Sequence, residues 1–208
     1  MTSDKLEAAA DHYRAMCDAL GVDLTRADTQ DTPKRYVKML YHDFMSGLRE
    51  PDFSFTTFPS EGSNQLVTIP GIRMVSMCAH HHLPFMGLCH VCYLPNATLV
   101  GLSKLPRAIQ WIAKQPTMQE HIVTKIVEYL AKELQPRFIG LSMIAEHTCM
   151  SCRGVNEHGS LTVTNKFWSD PNEKGKDGES LDVGDFETTK QEFLNAIKMW
   201  HYTKGLAR

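Results

Sequence analysis

Residues 65–94 read QLVTIPGIRMVSMCAHHHLPFMGLCHVCYL. Three short runs, 65–69, 72–78 and 86–94, are rich in β-branched and apolar residues and are punctuated by Pro70-Gly71 and Leu83-Pro84. That pattern predicts strands. The middle run ends on Cys78-Ala79-His80-His81-His82, so strand periodicity gives way to a cluster of metal-binding side chains where the chain must turn.

Upstream of this stretch the period is helical. A helix is expected over 4–20, with Leu6, Ala9, Tyr13, Cys17 and Leu20 on one stripe, Ser3 before it and Gly21 after it. A second is expected from Thr32-Pro33, with Val37, Leu40, Tyr41 and Phe44 apolar and Gly47 as its stop. Residues 50–64 read as a loop. Downstream, Leu105, Ala108, Ile109, Ile112 and Ala113 mark a helix that Ser103 would cap, and Gln115-Pro116 breaks it. Thr117-x-x-Glu120 resembles a capping box for the next helix, whose stripe is Ile122, Ile126, Val127, Leu130 and Leu134. Period two returns over 138–148 and 159–167. Residues 169–190 hold seven acids and three lysines and read as a solvated acidic loop, and a short helix over 190–200 closes the chain. Strands and helices come in runs, so the class is α+β with an antiparallel sheet. The expected division is an N-terminal helical region (1–48), a catalytic domain (49–168), the acidic loop (169–189) and a C-terminal helix and tail (190–208).

The 208 residues are 42% apolar, enough for a core, and carry a net charge of −2 with histidines neutral. A strongly basic footprint is absent, which argues against nucleic acid or an anionic membrane as partner. No window approaches the run of about 20 apolar residues that a spanning helix needs, and the first residues lack a signal-peptide core, so a cytoplasmic protein is expected. In that compartment the six cysteines are thiols or metal ligands before they are disulfides.

Thiolate and imidazole together suit zinc. Cys78, His81 and Cys149 would give three ligands. Leu141, Met143, Ala145, His147 and Cys149 share parity, so a pleated strand would point His147 and Cys149 to one face. A three-ligand centre keeps a position for water, whose pKa falls to about 7 there. His80 and His147 would flank it as proton donors and acceptors. A closed structural site built from Cys78, His81, Cys149 and Cys152 fits the same spacing. Cys89-x-x-Cys92 also has chelating spacing, but residues three apart on a strand face opposite ways, so core filling is the expectation. His82 and His90 read as spare. His12, His42, His121, His158 and His201 read as surface residues.

Anion-binding features stand at two helix starts. Ser103 and Lys104, with Arg107 one turn on, would suit phosphate at a helix N-terminus, or would be a cap with two solvated cations. Arg35 and Lys38 have the same two readings. Arg153 follows Cys149 by four residues.

These motifs, in order and spacing, resemble GTP cyclohydrolase I. They are Cys78-Ala79-His80-His81 with Pro84-Phe85; Tyr93-Leu94-Pro95; Gly101-Leu102-Ser103-Lys104-Leu105-x-Arg107; Met118-Gln119-Glu120; and His147-x-Cys149-Met150-x-x-Arg153-Gly154-Val155. Asp31-Thr32-Pro33-x-Arg35 and Glu192-Phe193-Leu194 also fit. The resemblance implies the tunnelling fold, an antiparallel sheet with two packed helices, preceded here by N-terminal helices. It also implies a toroidal homodecamer with active sites between subunits. It implies zinc on Cys78, His81 and Cys149, and catalysis by His80 and His147. Guanine recognition would fall on Glu120 with Gln119 beside it. Triphosphate contacts would come from Ser103, Lys104, Arg107 and Arg153, with Arg35 and Lys38 further out. The implied reaction opens the imidazole ring of GTP by hydrolysis at C8, releases formate and recloses to 7,8-dihydroneopterin triphosphate. This would be a first step toward a pterin, folate or deazaguanine. Three departures stand out: Ala79 where the family usually has Glu, His82 where it is usually apolar, and the extra Cys152.

Overall fold

A computed structural model describes residues 3–170 and 183–206. Most of the acidic segment therefore lies outside the described residues. Two helices, α1 (Ser3–Ala19) and α2 (Thr32–Met39), open the chain and pack on each other, with Tyr13 stacked on Tyr36 at 4.2 Å between ring centroids. The expected end of α2 at Gly47 is not observed. The helix widens into a π turn over Leu40–Phe44, where the Met45 N–H reaches the Leu40 carbonyl, and a 3-10 turn covers Ser46–Leu48. Gly47 serves close approach instead. Its N–H bonds the Lys114 carbonyl, and a Cβ there would lie 2.1 Å from the Trp111 carbonyl oxygen.

The expected loop over 50–64 contains a short strand, β1 (Thr57–Pro59), antiparallel to β4 (Thr98–Val100). The runs 65–69 and 72–78 form one strand, β2 (Val67–Cys78), whose register shifts between Ile69 and Ile72. Gly71, at φ +76°, carries this bulge, which is why Pro70-Gly71 bends the strand without ending it. β2 pairs with β3 (Pro84–Leu94), β3 with β6 (Phe138–His147) and β6 with β7 (Thr162–Ser169), all antiparallel. A two-residue strand, β5 (Pro116–Thr117), runs parallel to the end of β2 and completes the order β5-β2-β3-β6-β7.

Strand parity divides the core. Cys89, Val91 and Tyr93 of β3 and Leu141 and Met143 of β6 face α3 (Lys104–Ala113) and α4 (Gln119–Leu134), which bury Leu105, Ile109, Ile122, Ile126 and Leu130 against them. Each such aliphatic side chain contributes roughly 1.5–3 kcal/mol by burial. Cys92 and Phe138 face the other way and meet Phe193 and Ile197 of α6 (Val183–Leu206). Cys89 and Cys92 are both fully buried on opposite faces, as parity requires of core residues. The closing helix is longer than expected at both ends. His90, read as spare, is fully buried on the α6 face. Its Nδ1 accepts from the Gly71 N–H at 3.2 Å, and its ring lies 5.4 Å from those of Trp200 and His201.

Neither expected cap makes its side-chain bond, although Ser103 does stand at the N-cap position of α3. Ser103 has helical dihedrals and makes no side-chain cap bond. Thr117 lies in β5, and the residue before α4 is Met118, again without a side-chain cap, so Thr117 and Glu120 form no capping box. Among the described residues no helix is long and apolar enough to cross a membrane.

Candidate functional site

The site grows from the end of β2. The Cys78 N–H bonds the Leu83 carbonyl and the His82 N–H bonds the Cys78 carbonyl, so residues 78–83 close into a tight turn with His82 at φ +52°. The turn holds Cys78 Sγ 3.7 Å from His80 Nδ1 and 3.8 Å from His81 Nδ1. His82 points elsewhere and lines an apolar groove with Tyr13, Tyr36 and Tyr41 of the N-terminal helices.

The second strand to arrive is β6. It ends at His147, and Cys149 is the second residue of α5 (Thr148–Ser151), so parity is not what brings its thiol to the site. The strand-to-helix corner does so, and it is anchored where Thr148 Oγ1 donates to the Pro84 carbonyl at 2.5 Å. Cys78, His81 and Cys149 then place one ligand atom each within 4.8 Å of one another. Tetrahedral zinc with Zn–S near 2.3 Å and Zn–N near 2.0 Å wants ligand atoms about 3.5–3.8 Å apart, so this donor set needs only a small contraction to hold such an ion. Cys152 is exposed and does not belong to the group, so the closed four-ligand site lacks its fourth member.

Before a cation binds, burial and the neighbouring Cys78 thiol raise the Cys149 pKa above its ordinary value, while Arg153 pulls it down. A bound cation reverses that balance, because metal binding takes the thiolate form. Arg153 is thus coupled to the group through Cys149.

The third contribution comes from α4. Thr117 pairs with Cys78 across the short parallel bridge, and the Ala79 N–H bonds the Thr117 carbonyl at 3.1 Å. The start of α4 is thereby pinned beside the Cys78–His81–Cys149 group. Glu120 is exposed in its first turn, and its charge raises the pKa of His147, whose burial has the larger, lowering effect. Gln119 points the other way. It is 1% exposed, and its carboxamide is taken up by β6, β7 and His147. Phe85, directly across from His147 in the β3–β6 register, stacks on its ring at 4.4 Å and 8°. No local signal marked Phe85 as a site residue, because its partner is 62 positions away.

The remaining residues lie on other elements. Ser103 and Arg107 are exposed and Lys104 half-buried at the start of α3, and Arg107 lines a cavity of about 430 Å³ with Arg49, Gln110 and Lys114. Arg35 and Lys38 are exposed on α2, where Arg35 donates to the Asp28 carbonyl. Neither set belongs to the Cys78–His81–Cys149 group.

The family model for GTP cyclohydrolase I matches residues 9–180. The chain belongs to the GTP cyclohydrolase I family. It is 41% identical to GTP cyclohydrolase 1 of Listeria welshimeri over 157 residues, 74% of this chain and 82% of that protein. It is 38% identical to GTP cyclohydrolase 1 of Sulfurihydrogenibium sp. over 195 residues, 93% of this chain and 94% of that protein. The Enterococcus faecalis GTP cyclohydrolase 1 is 40% identical over 169 residues, 80% of this chain and 90% of that protein. The fold is accordingly the tunnelling fold of that family.

Proposed function

We propose that this chain hydrolyses GTP to 7,8-dihydroneopterin triphosphate and formate, using zinc held by Cys78, His81 and Cys149. Hydrolysis of GTP in pterin biosynthesis is the activity of the family to which the chain belongs. The observation that carries the detailed reading is the convergence of two thiols and an imidazole from β2 and α5, with His147 and Glu120 beside them. When bound, zinc supplies a Lewis acid that brings the pKa of water toward neutrality.

The chain's own residues do the rest. His80, with Nδ1 close to Cys78, and His147, the last residue of β6, move protons to and from the purine ring nitrogens. Glu120 accepts from the guanine ring N–H and exocyclic amine, a donor pair that adenine lacks. Ser103 has its hydroxyl free of any cap bond. With Lys104 and Arg107 it offers a hydroxyl, two cations and a positive helix end to the triphosphate. Arg153 adds charge from the metal side, and Arg35 and Lys38 stand further out on α2.

A ring of ten copies, with sites completed between subunits, agrees with the dispersed positions of these cations. Two further features support assembly. β7 is an open edge of the sheet, and Val75, Met86 and Val163 are exposed on the sheet face opposite α3 and α4. Within this reading residues 49–168 are the catalytic domain, 1–48 its N-terminal region, 169–189 an acidic stretch into which α6 extends from Val183, and 190–208 its C-terminal segment. A reducing cytoplasm suits a centre that needs free thiols. Incubation of zinc-loaded protein with GTP should release formate and generate a pterin chromophore. Absence of formate from protein of verified metal content would overturn the proposal.

A further inference from the structure

Gln119 makes four polar contacts, all within the chain. Its Nε2 lies 3.2 Å from the Met143 carbonyl, 3.1 Å from the Thr162 carbonyl and 3.0 Å from Thr164 Oγ1. Its Oε1 lies 2.9 Å from His147 Nε2. The two backbone carbonyls only accept. Turning the carboxamide over would set its oxygen against both of them with no hydrogen between, so the amide has one allowed orientation. Oε1 must then face His147, and as an acceptor it requires a hydrogen on His147 Nε2.

We propose that Gln119 is a positioning residue that holds His147 in its Nε2–H form and leaves Nδ1 as the nitrogen that exchanges protons with the substrate. This rests on the reading of His147 as a proton carrier. Fully buried Phe85 stacks flat on one face of the ring and β3 holds Phe85 in register with His147, so the ring plane is fixed, and the orientation that turns Nε2 to Gln119 is the one that gives Oε1 a hydrogen-bond partner. The three acceptors of the Gln119 amine come from β6 and β7, so the sheet itself sets the tautomer. The same contacts commit the Gln119 amine to the sheet and turn its oxygen to His147, away from exposed Glu120, which is left to read the guanine edge. A histidine held in the wrong tautomer loses most of its value as a base even when its position is right.

The test is solid-state 15N NMR of full-length, zinc-loaded protein labelled on histidine, at a pH where His147 is neutral. Its signals are assigned by their loss in His147→Asn. The expected wild-type spectrum shows the proton on Nε2 and a bare Nδ1. Gln119→Met should give a mixture of tautomers and a kcat lower by roughly 10-fold or more, with KM for GTP and zinc content within about 2-fold of wild type. Gln119→Glu can meet the Met143 and Thr162 carbonyls only as a neutral acid, its O–H donating to them while the other oxygen accepts from Nε2, and in that form it should keep the tautomer. A proton on Nδ1 in wild type, an unchanged tautomer in Gln119→Met, or a raised KM with unchanged kcat would overturn the inference. Should Gln119→Met fail to fold, the wild-type spectrum still decides it. Wild-type protein that turns over no GTP would defeat the functional reading while the spectra still judge the tautomer.

Discussion

Replacing Gly71 by Ala probes the clasp between the sheet and the last helix. Gly71 has φ +76°, and a Cβ there would lie 2.2 Å from Trp200 Cζ2 and 2.7 Å from Cε2. Two costs follow. A non-glycine residue in left-handed backbone costs about 1–2 kcal/mol. Displacing a packed indole adds about 1–3 kcal/mol, the usual range for overpacking. The expected loss is therefore about 2–5 kcal/mol. Gly21 provides the control. It has φ +74°, and a Cβ there would meet no atom within 4 Å. Gly21→Ala should therefore lose only the backbone part, about 1–2 kcal/mol. Urea unfolding of the zinc-loaded protein at one fixed protomer concentration measures both, because assembly makes midpoints concentration-dependent. Combining Gly71→Ala with Trp200→Ala should show a favourable coupling of about 1–3 kcal/mol as the clash disappears. Equal losses for Gly71→Ala and Gly21→Ala, or zero coupling, would refute the reasoning.

Elemental analysis should find zinc reduced at least roughly 10-fold in Cys78→Ala, His81→Ala and Cys149→Ala, while Cys152→Ala keeps full metal and full formate release. Chelation should abolish turnover, and added zinc should restore it. Glu120→Gln should lower kcat/KM for GTP roughly 10- to 100-fold, the worth of a charge-assisted hydrogen bond, with metal content unchanged. Burial first, and then the charge of His201, pull the His90 pKa from 6.5 to about 4. The unfolded chain therefore takes up a proton between pH 6.5 and 4 that the folded chain refuses, so stability falls as pH drops through this window. The gradient approaches about 1.4 kcal/mol per pH unit at most, for a total of about 3 kcal/mol across the window. Thermal melts across this range should show that acid loss shrink in His90→Phe.

The Cys-His-Cys donor group was legible because thiol and imidazole in short spacing are rare and chemically specific. Cys78, His81 and Cys149 come together as their spacing suggests. The route to Cys149 was not legible. Parity predicted a strand through residue 149, whereas the chain turns into α5 at Thr148 under a bond to Pro84, 64 residues earlier in sequence. The capping box failed for a related reason. Thr117-x-x-Glu120 satisfies the local rule, but Thr117 is taken by a bridge to Cys78, and tertiary pairing outweighs a cap worth about 1 kcal/mol. Pro70-Gly71 read as a break between strands because the sequence cannot show that His90 and Trp200 wait to receive a bulge there.

Residue chemistry and spacing are local properties, so the donor set, the apolar periods and the family could all be read from the chain alone. The folded molecule was needed to show that Gln119 turns inward to His147 while its neighbour Glu120 stays exposed, that His90 is buried, and that Cys152 stands apart from the metal group. Those outcomes depend on which distant strand or helix competes for each side chain, and that competition is settled only when the whole sheet is paired and its two faces are filled.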